Sequence, residues 1–349
     1  MGKLSTVEFA YGSSEHNAIF GDTRNPWDLT RMTGGSSTGS GASVAARILP
    51  YAMGSDTAGS VRMPACLCGI TGFKPSYGLI SRFGITPLSP TLDHSGPLAR
   101  SVYDIGLIMN AVVGRDSRDA ATVSRDMGDF TEGLDKDIRG LRLGVPWDYI
   151  TEALHPDVEY LFREALGVLE SLGASVEEVS IPEFDLTSAM LIVIAGTEAV
   201  DFHYKNFRER GGEYTEAIRR RMESSRFLPA SVYVKAQRAR RLLGIRLAQT
   251  FQQVDILVTP SLGVTAPVQG AGFIDVRGSR VTEQEMMTRT MRIFNMNGVP
   301  AISVPCGFDP NGLPAGLQFA GPLYKDKLVL QAANAYQIAT DWHKRAPSM

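Results

Sequence analysis

Several things are scarce in this chain of 349 residues. Three cysteines, Cys66, Cys68 and Cys306, are too few for a disulfide framework and fit a reducing compartment. Cys66 and Cys68 form a Cys-x-Cys pair with no histidine or second cysteine pair nearby to complete four metal ligands, so they are expected to pack in a core. Charge of one sign is also missing: 35 Lys and Arg against 37 Asp and Glu leave a formal charge of −2. That balance removes the electrostatic reason to bind nucleic acid or an anionic membrane directly. No run of about 18 apolar residues occurs, and the N-terminus lacks the charged-then-apolar order of a secretory leader. A cytoplasmic location is therefore expected. There is no fixed-period repeat and no low-complexity linker.

What is present reads as one continuous α/β domain. Small hydroxyl residues followed by ASVAARI predict a helix over 38–47, opened by capping side chains and built for close packing. LPYAMGSD predicts a buried strand running into a turn, and SVRMPACLCG a second short helix. Ser60 then falls at a strand-to-helix junction, where unpaired backbone N–H groups favour negative charge. SVYDIGLIMNAVV carries a Ser-x-x-Asp cap before helical apolar spacing. LRLGVP and ASVEEVS flank the amphipathic PDVEYLFREALGVLESLG, predicting a parallel strand–helix–strand unit. Residues 186–252 read as mostly helical, DILVTP and AISVPC as strands, and KDKLVLQAANAYQIATDWH as a closing helix.

The chemistry concentrates in MTGGSSTGSG and GSDTAGSVRMPA, which place Ser36 and Ser60 24 positions apart. These are poor phosphate loops, since no lysine follows Thr38-Gly39-Ser40 and Val44 stands where a dinucleotide fingerprint needs Gly or Ala. The alternative takes the hydroxyls as reagents. In the turn Asp56-Thr57-Ala58-Gly59-Ser60, successive backbone N–H groups can converge on one oxygen as an oxyanion hole, with Ser60 placed to attack a carbonyl. A serine needs a base. His94 follows Asp93, and neighbours in an extended segment point to opposite faces, so Asp93 cannot orient that ring. His16, His155, His203 and His343 lie in polar or helical contexts that predict solvated or hydrogen-bonded side chains.

Gly34-Gly35-Ser36-Ser37-Thr38-Gly39-Ser40, followed by Gly54 through Ala65, resembles the signature of the amidase signature hydrolases, with that family's spacing between its two active serines. FGDTRNPWDLTR, GFKPSYGLISRFGI, LDHSGPLARSVYD and NGVPAISVPCGFDPNGLPAGLQFAG extend the resemblance over essentially the whole chain. It implies a mixed, twisted β-sheet covered by helices on both faces, as a single large domain over 1–349. It further implies a serine hydrolase without histidine, metal or cofactor. Ser60 would form the acyl-enzyme, and Ser36, across a cis peptide from Gly35, would take its proton. The N–H groups of Thr57, Ala58, Gly59 and Ser60 would form the oxyanion hole. Gly35, Ser37, Asp56 and Arg62 would support the site.

The same resemblance implies a neutral lysine as the final base, on a strand well upstream of the bridging serine. Lys3 matches a different family lysine. The expectation is an N-terminally shortened amidase with weak or no activity, and with exposed apolar surface that favours self-association, in the simplest case a homodimer. The expected substrate is a small amide. In the family's glutamine-dependent tRNA amidotransferase member, an aspartate receives the glutamine amine, whereas MMTRTMRIFNMNGVPA holds no acidic residue. A general amidase is therefore expected ahead of that amidotransferase component or of a non-catalytic pseudo-amidase. The basic cluster Arg219, Arg220, Arg221, Arg226, Lys235, Arg238, Arg240, Arg241 and Arg246 is expected to be a solvated helical face, and carboxylate or RNA binding is the alternative.

Overall fold

Gly39 and Gly41, predicted to permit close packing, do so in a computed structural model that describes residues 2–13, 17 and 19–348. A Cβ on Gly41 would stand 2.7 Å from the Pro64 side chain, and one on Gly39 2.7 Å from the Ser5 amide nitrogen. The chain begins with a ribbon, β1 (Arg24–Asn25) and β2 (Asp28–Met32). It continues through α1 (Thr38–Ala45), β3 (Tyr51–Asp56), α2 (Arg62–Cys68), β4 (Thr71–Lys74), β5 (His94–Ala99) and α3 (Val102–Val112). Next come β6 (Arg142–Val145), α4 (Trp147–Ile150), α5 (Pro156–Ser171) and β7 (Ser175–Glu178). Three helices follow, α6 (Thr187–Arg210), α7 (Glu216–Ser225) and α8 (Ala230–Gln253). The last elements are β8 (Ile256–Pro260), the ribbon β9 (Phe273–Val276) and β10 (Ser279–Thr282), α9 (Glu283–Asn295), β11 (Ala301–Phe308), β12 (Pro314–Ala320) and α10 (Asp326–Thr340).

One eight-stranded sheet, ordered β3-β5-β4-β11-β12-β8-β6-β7, carries the fold. Pairing is antiparallel from β3 through β8 and parallel only for β8–β6 and β6–β7, the strand–helix–strand unit expected around α5. Helices α3, α5 and α10 cover one face, and α1 and α2 the other, backed by α9 and α6. Burial follows this layering: Leu143, Val145, Leu257, Ile302, Val304, Leu317 and Phe319 are closed between the layers. The Ser101 cap forms as its spacing predicts, its hydroxyl accepting from the Asp104 amide at 3.1 Å.

Two expectations change. Strand Tyr51–Asp56 lies at the edge of the sheet and is only partly buried, with Ala52 and Asp56 closed off and the rest half-buried or exposed, because only β5 pairs with it. The Ser37 hydroxyl does not cap α1 but donates to the Ser55 carbonyl at 3.3 Å, tying the helix start to β3. Within 182–213 the chain is helical, long and apolar enough by length and composition to cross a membrane. In the fold its residues Met190, Ile194, Ala195, Ala199 and His203 are buried. The three cysteines are buried and free, as core packing predicts, and burial pushes the Cys66 thiol up to about 12.

Candidate active site

Strand β3 ends at Asp56 and helix α2 begins at Arg62, so residues 57–61 form the turn that joins them. Gly59 makes the turn possible. Its φ is +125°, and a Cβ there would sit 2.6 Å from the Met291 side chain. The Asp56 carboxylate shapes the turn from beneath: Oδ1 accepts from the Gly59 amide at 2.7 Å and Oδ2 from the Val61 amide at 3.2 Å. Arg62 closes on the same carboxylate, with Nε to Oδ2 and Nη2 to Oδ1 both at 3.0 Å.

This ion pair is fully buried. Its remaining valences are filled by residues distant in sequence. Arg62 donates to Gln318 Oε1 (2.7 Å), Asn295 Oδ1 (2.7 Å) and the Met291 carbonyl (3.1 Å), while Asn295 Nδ2 donates to Asp56 Oδ1 at 2.9 Å. Burial alone would raise the Asp56 carboxyl. The Arg62 guanidinium outweighs it and holds that carboxyl well below the usual carboxylate range.

The first serine loop lies against this turn. The peptide between Gly35 and Ser36 is cis. The Ser37 amide donates to the Ser60 carbonyl at 3.3 Å, and Gly54 leaves room for Ser37, since a Cβ on it would meet the Ser37 hydroxyl at 2.5 Å. Ser36 is 1% exposed, and its carbonyl accepts from the amides of Val7 and Thr38. Its hydroxyl is buried and has no hydrogen-bond partner among the described residues, so no lysine amine is bonded to it there. Such a group is costly to leave unmade and is common at reacting centres.

Thr57, Ala58 and Ser60 face a cavity of about 400 Å³. Ser60 is 7% exposed. Leu88, Leu191, Ile192 and Ala195 supply an apolar wall, and Tyr11, Arg221, Ser225 and Glu285 add polar groups. Glu285 stands just before the stretch in which no acid was found, but its carboxylate is engaged by Arg292 (2.7 and 2.8 Å) and by the Ser188 hydroxyl (2.8 Å).

The basic cluster divides rather than forming one solvated face. Arg220 and Arg221 line the cavity, and the Arg221 guanidinium bonds the Tyr11 carbonyl. Arg240 turns inward to Thr91 and the Met296 carbonyl, Arg246 pairs with Glu183, and Arg219 pairs with Glu223. Periodicity could not foresee this, because inward and outward arginines occur on the same helix.

Among the described residues no histidine joins the serines. His94 is buried with Nδ1 on the Leu92 carbonyl at 2.7 Å, and burial first, then Lys74, keep it neutral far below its ordinary range. His203 is buried against Phe9 and hydrogen-bonded to Tyr214, His155 accepts from the Asp157 amide, and His16 lies outside the described residues. Among the described residues no cluster of His, Cys, Asp and Glu could hold a metal ion. Sequence reasoning missed Asn295 and Gln318, for which no local signal exists, and the role of Asp93, which the LDHSGP segment carried unread.

Lys74, behind the Asp56–Arg62 pair, donates to the carbonyls of Val299 (2.5 Å) and Pro75 (3.3 Å). Burial, helped by Arg62, lowers its pKa to about 7 from an ordinary value of about 10.4. Between these values the unfolded chain binds the proton and the folded chain does not, so this group makes stability rise with pH across that window. Lys74→Met should lose that rise relative to wild type, read from denaturant midpoints at pH 7, 8.5 and 10; parallel pH dependences in the two proteins would refute the assignment.

Comparisons with known proteins point to one family. A family model described as Amidase matches residues 1–330. The chain is 38% identical over 376 aligned positions to a glutamyl-tRNA(Gln) amidotransferase subunit from Herminiimonas arsenicoxydans, covering 100% of this chain and 76% of that protein. It is 39% identical to the corresponding amidotransferase subunit of Chromohalobacter salexigens, covering 100% and 75%. Among solved structures, it superposes with a TM-score of 0.91 and 33% identity on a chain of a vestigial protein complex tied to the origins of an s-triazine catabolic enzyme, covering 96% of this chain and 73% of that one. The glutamyl-tRNA(Gln) amidotransferase subunit from Thermotoga maritima gives a TM-score of 0.84 at 39% identity, covering 99% and 73%. A bacterial aryl acylamidase gives 0.87 at 26%, covering 97% and 72%. Sequence, fold and the two serine turns thus lead to one conclusion: the chain belongs to the amidase signature family.

Proposed function

We propose that this chain cleaves the carbon–nitrogen bond of a small carboxamide through an acyl-enzyme on Ser60. Ser60 Oγ bonds to the carbonyl carbon and gives its proton to Ser36, whose own hydroxyl proton passes to the departing nitrogen. Ammonia or an amine leaves, and water then releases the acid and restores Ser60. The amides of Thr57, Ala58 and Ser60 receive the developing oxyanion charge, while Gly59, whose N–H is taken by Asp56, contributes the turn's shape. Asp56 and Arg62 hold the turn and do not react.

The observation that carries this reading is Ser60, open to a cavity of small-molecule size, beside a loop whose Ser37 amide bonds the Ser60 carbonyl and whose buried Ser36 hydroxyl has no hydrogen-bond partner among the described residues, Ser60 included, so that it is free to take up a proton when Ser60 turns to attack. The apolar cavity wall favours an amide with an aryl or alkyl acyl part. A second reading has its own support. Curated relatives at 37–39% identity are amidotransferase subunits, which favours glutamine as the ammonia donor and a protein partner. Ammonia release from benzamide, propionamide and glutamine separates the two. The first reading expects turnover of the apolar amides with glutamine at background. Turnover of glutamine alone favours the second, and release from none of them, with no acyl adduct on Ser60, refutes the hydrolase assignment.

A further inference from the structure

Thr57 opens the turn that leads to Ser60, and it lines the cavity. Its hydroxyl is already committed: Oγ1 donates to Asp93 Oδ1 at 2.6 Å in a buried contact. The same carboxylate accepts from the Leu88 amide at 2.9 Å and from the Ser89 amide at 3.1 and 3.0 Å to its two oxygens. Leu88 is also a wall of the cavity. One carboxylate, 6% exposed, therefore ties together two backbone segments that face the substrate space from different parts of the chain.

Asp93 is itself well fixed. The next residue, His94, starts β5 and pairs with Asp56 at the end of β3, so the sheet sets the distance between the carboxylate and the turn. Farther out, the Ser89 hydroxyl donates to Glu198 Oε2 at 2.6 Å and the Thr91 hydroxyl to Glu198 Oε1 at 2.7 Å, anchoring the 88–91 loop to α6. Arg82 adds a bond to the Asp93 carbonyl at 3.2 Å. Asp93 itself does not line the cavity, and its carboxylate contacts bear on where the turn sits.

We propose that Asp93 is a positioning residue for amide cleavage, orienting the 57–60 turn through the Thr57 hydroxyl. The inference rests on the reading of Ser60 as nucleophile. Its physical basis is that backbone donors stabilise a transition state only when held in place before the charge develops, and a side-chain tether at the first residue of a Gly-containing turn removes the freedom that would let them drift.

The test uses the full chain and three variants, Thr57→Val, Thr57→Ser and Asp93→Asn. The rate of Ser60 phosphonylation by a fluorophosphonate, with fluoride as the leaving group, is read by intact mass, and the affinity for benzamide is measured separately. Amide hydrogen exchange of the peptide spanning 56–62 is followed in parallel. Thr57→Val should slow this labelling by about tenfold or more with benzamide affinity little changed, because it removes the tether and fills the same space. Thr57→Ser, which keeps the hydroxyl, should restore most of that loss. Exchange over 56–62 should quicken in Thr57→Val and not in Thr57→Ser, and Asp93→Asn should add faster exchange at 88–89. Thr57→Val with wild-type labelling and wild-type exchange overturns the proposal. Labelling that persists in Ser60→Ala sinks the nucleophile reading instead, and the exchange comparison still decides whether Asp93 holds the turn.

Discussion

Ser60→Ala is expected to abolish covalent labelling by a fluorophosphonate and to remove all amide turnover that passes through an acyl-enzyme. The change deletes one oxygen from a residue lining the cavity and leaves the Asp56–Arg62 scaffold whole, so the melting curve should match wild type. Ser36→Ala should keep the nucleophile and lose the proton path, so labelling slows while benzamide affinity stays the same. Because no lysine is bonded to the Ser36 hydroxyl among the described residues, wild-type labelling itself should be slow. Intact mass after timed exposure gives the adduct count and its rate. An adduct that survives Ser60→Ala, mapped by peptide mass to another residue, removes Ser60 from the reaction.

The second large effect concerns stability. Asp56→Ala should cost about 3–5 kcal/mol, because it leaves the Arg62 guanidinium buried without its counter-charge and strips the Gly59 and Val61 amides of their acceptor. Arg62→Met should also destabilise, since Gln318, Asn295 and the Met291 carbonyl lose their donor. Replacing both sides, Asp56→Leu with Arg62→Met, should recover part of the loss in stability without recovering labelling of Ser60, because the turn would still lack the carboxylate that shapes it. Urea midpoints at pH 7 measure the first statement and adduct formation the second. A single Asp56→Ala chain within about 1 kcal/mol of wild type would show that the pair is not the scaffold described here.

Much of the site was legible from residue order alone. Gly59, Ser60, Asp56 and Arg62 lie within one turn and the start of one helix, so their relation is local and a short sequence can encode it. The 38–45 helix and the Ser101 cap were readable for the same reason, contacts a few residues apart, and the parallel unit around α5 because an amphipathic helix between two apolar runs leaves few other ways to bury its face. The half-exposure of β3 was not, because a strand's burial depends on how many neighbours it gains in the sheet. The inward turn of Arg240 and the cavity-facing places of Arg220 and Arg221 were likewise hidden, since a helix pattern gives periodicity but not what packs against each face.

The sequence by itself determined the two serine turns, the glycines that allow them and the membership that follows. Those features rest on backbone conformations and near-neighbour bonds that only certain residues permit. Only the tertiary structure decided that Asn295 and Gln318 complete the Arg62 site, that Asp93 holds Thr57, and that α6, α7 and the 282–288 segment wall the cavity. These pairings join residues tens to hundreds of positions apart, and their geometry exists only once the sheet has brought its strands into register.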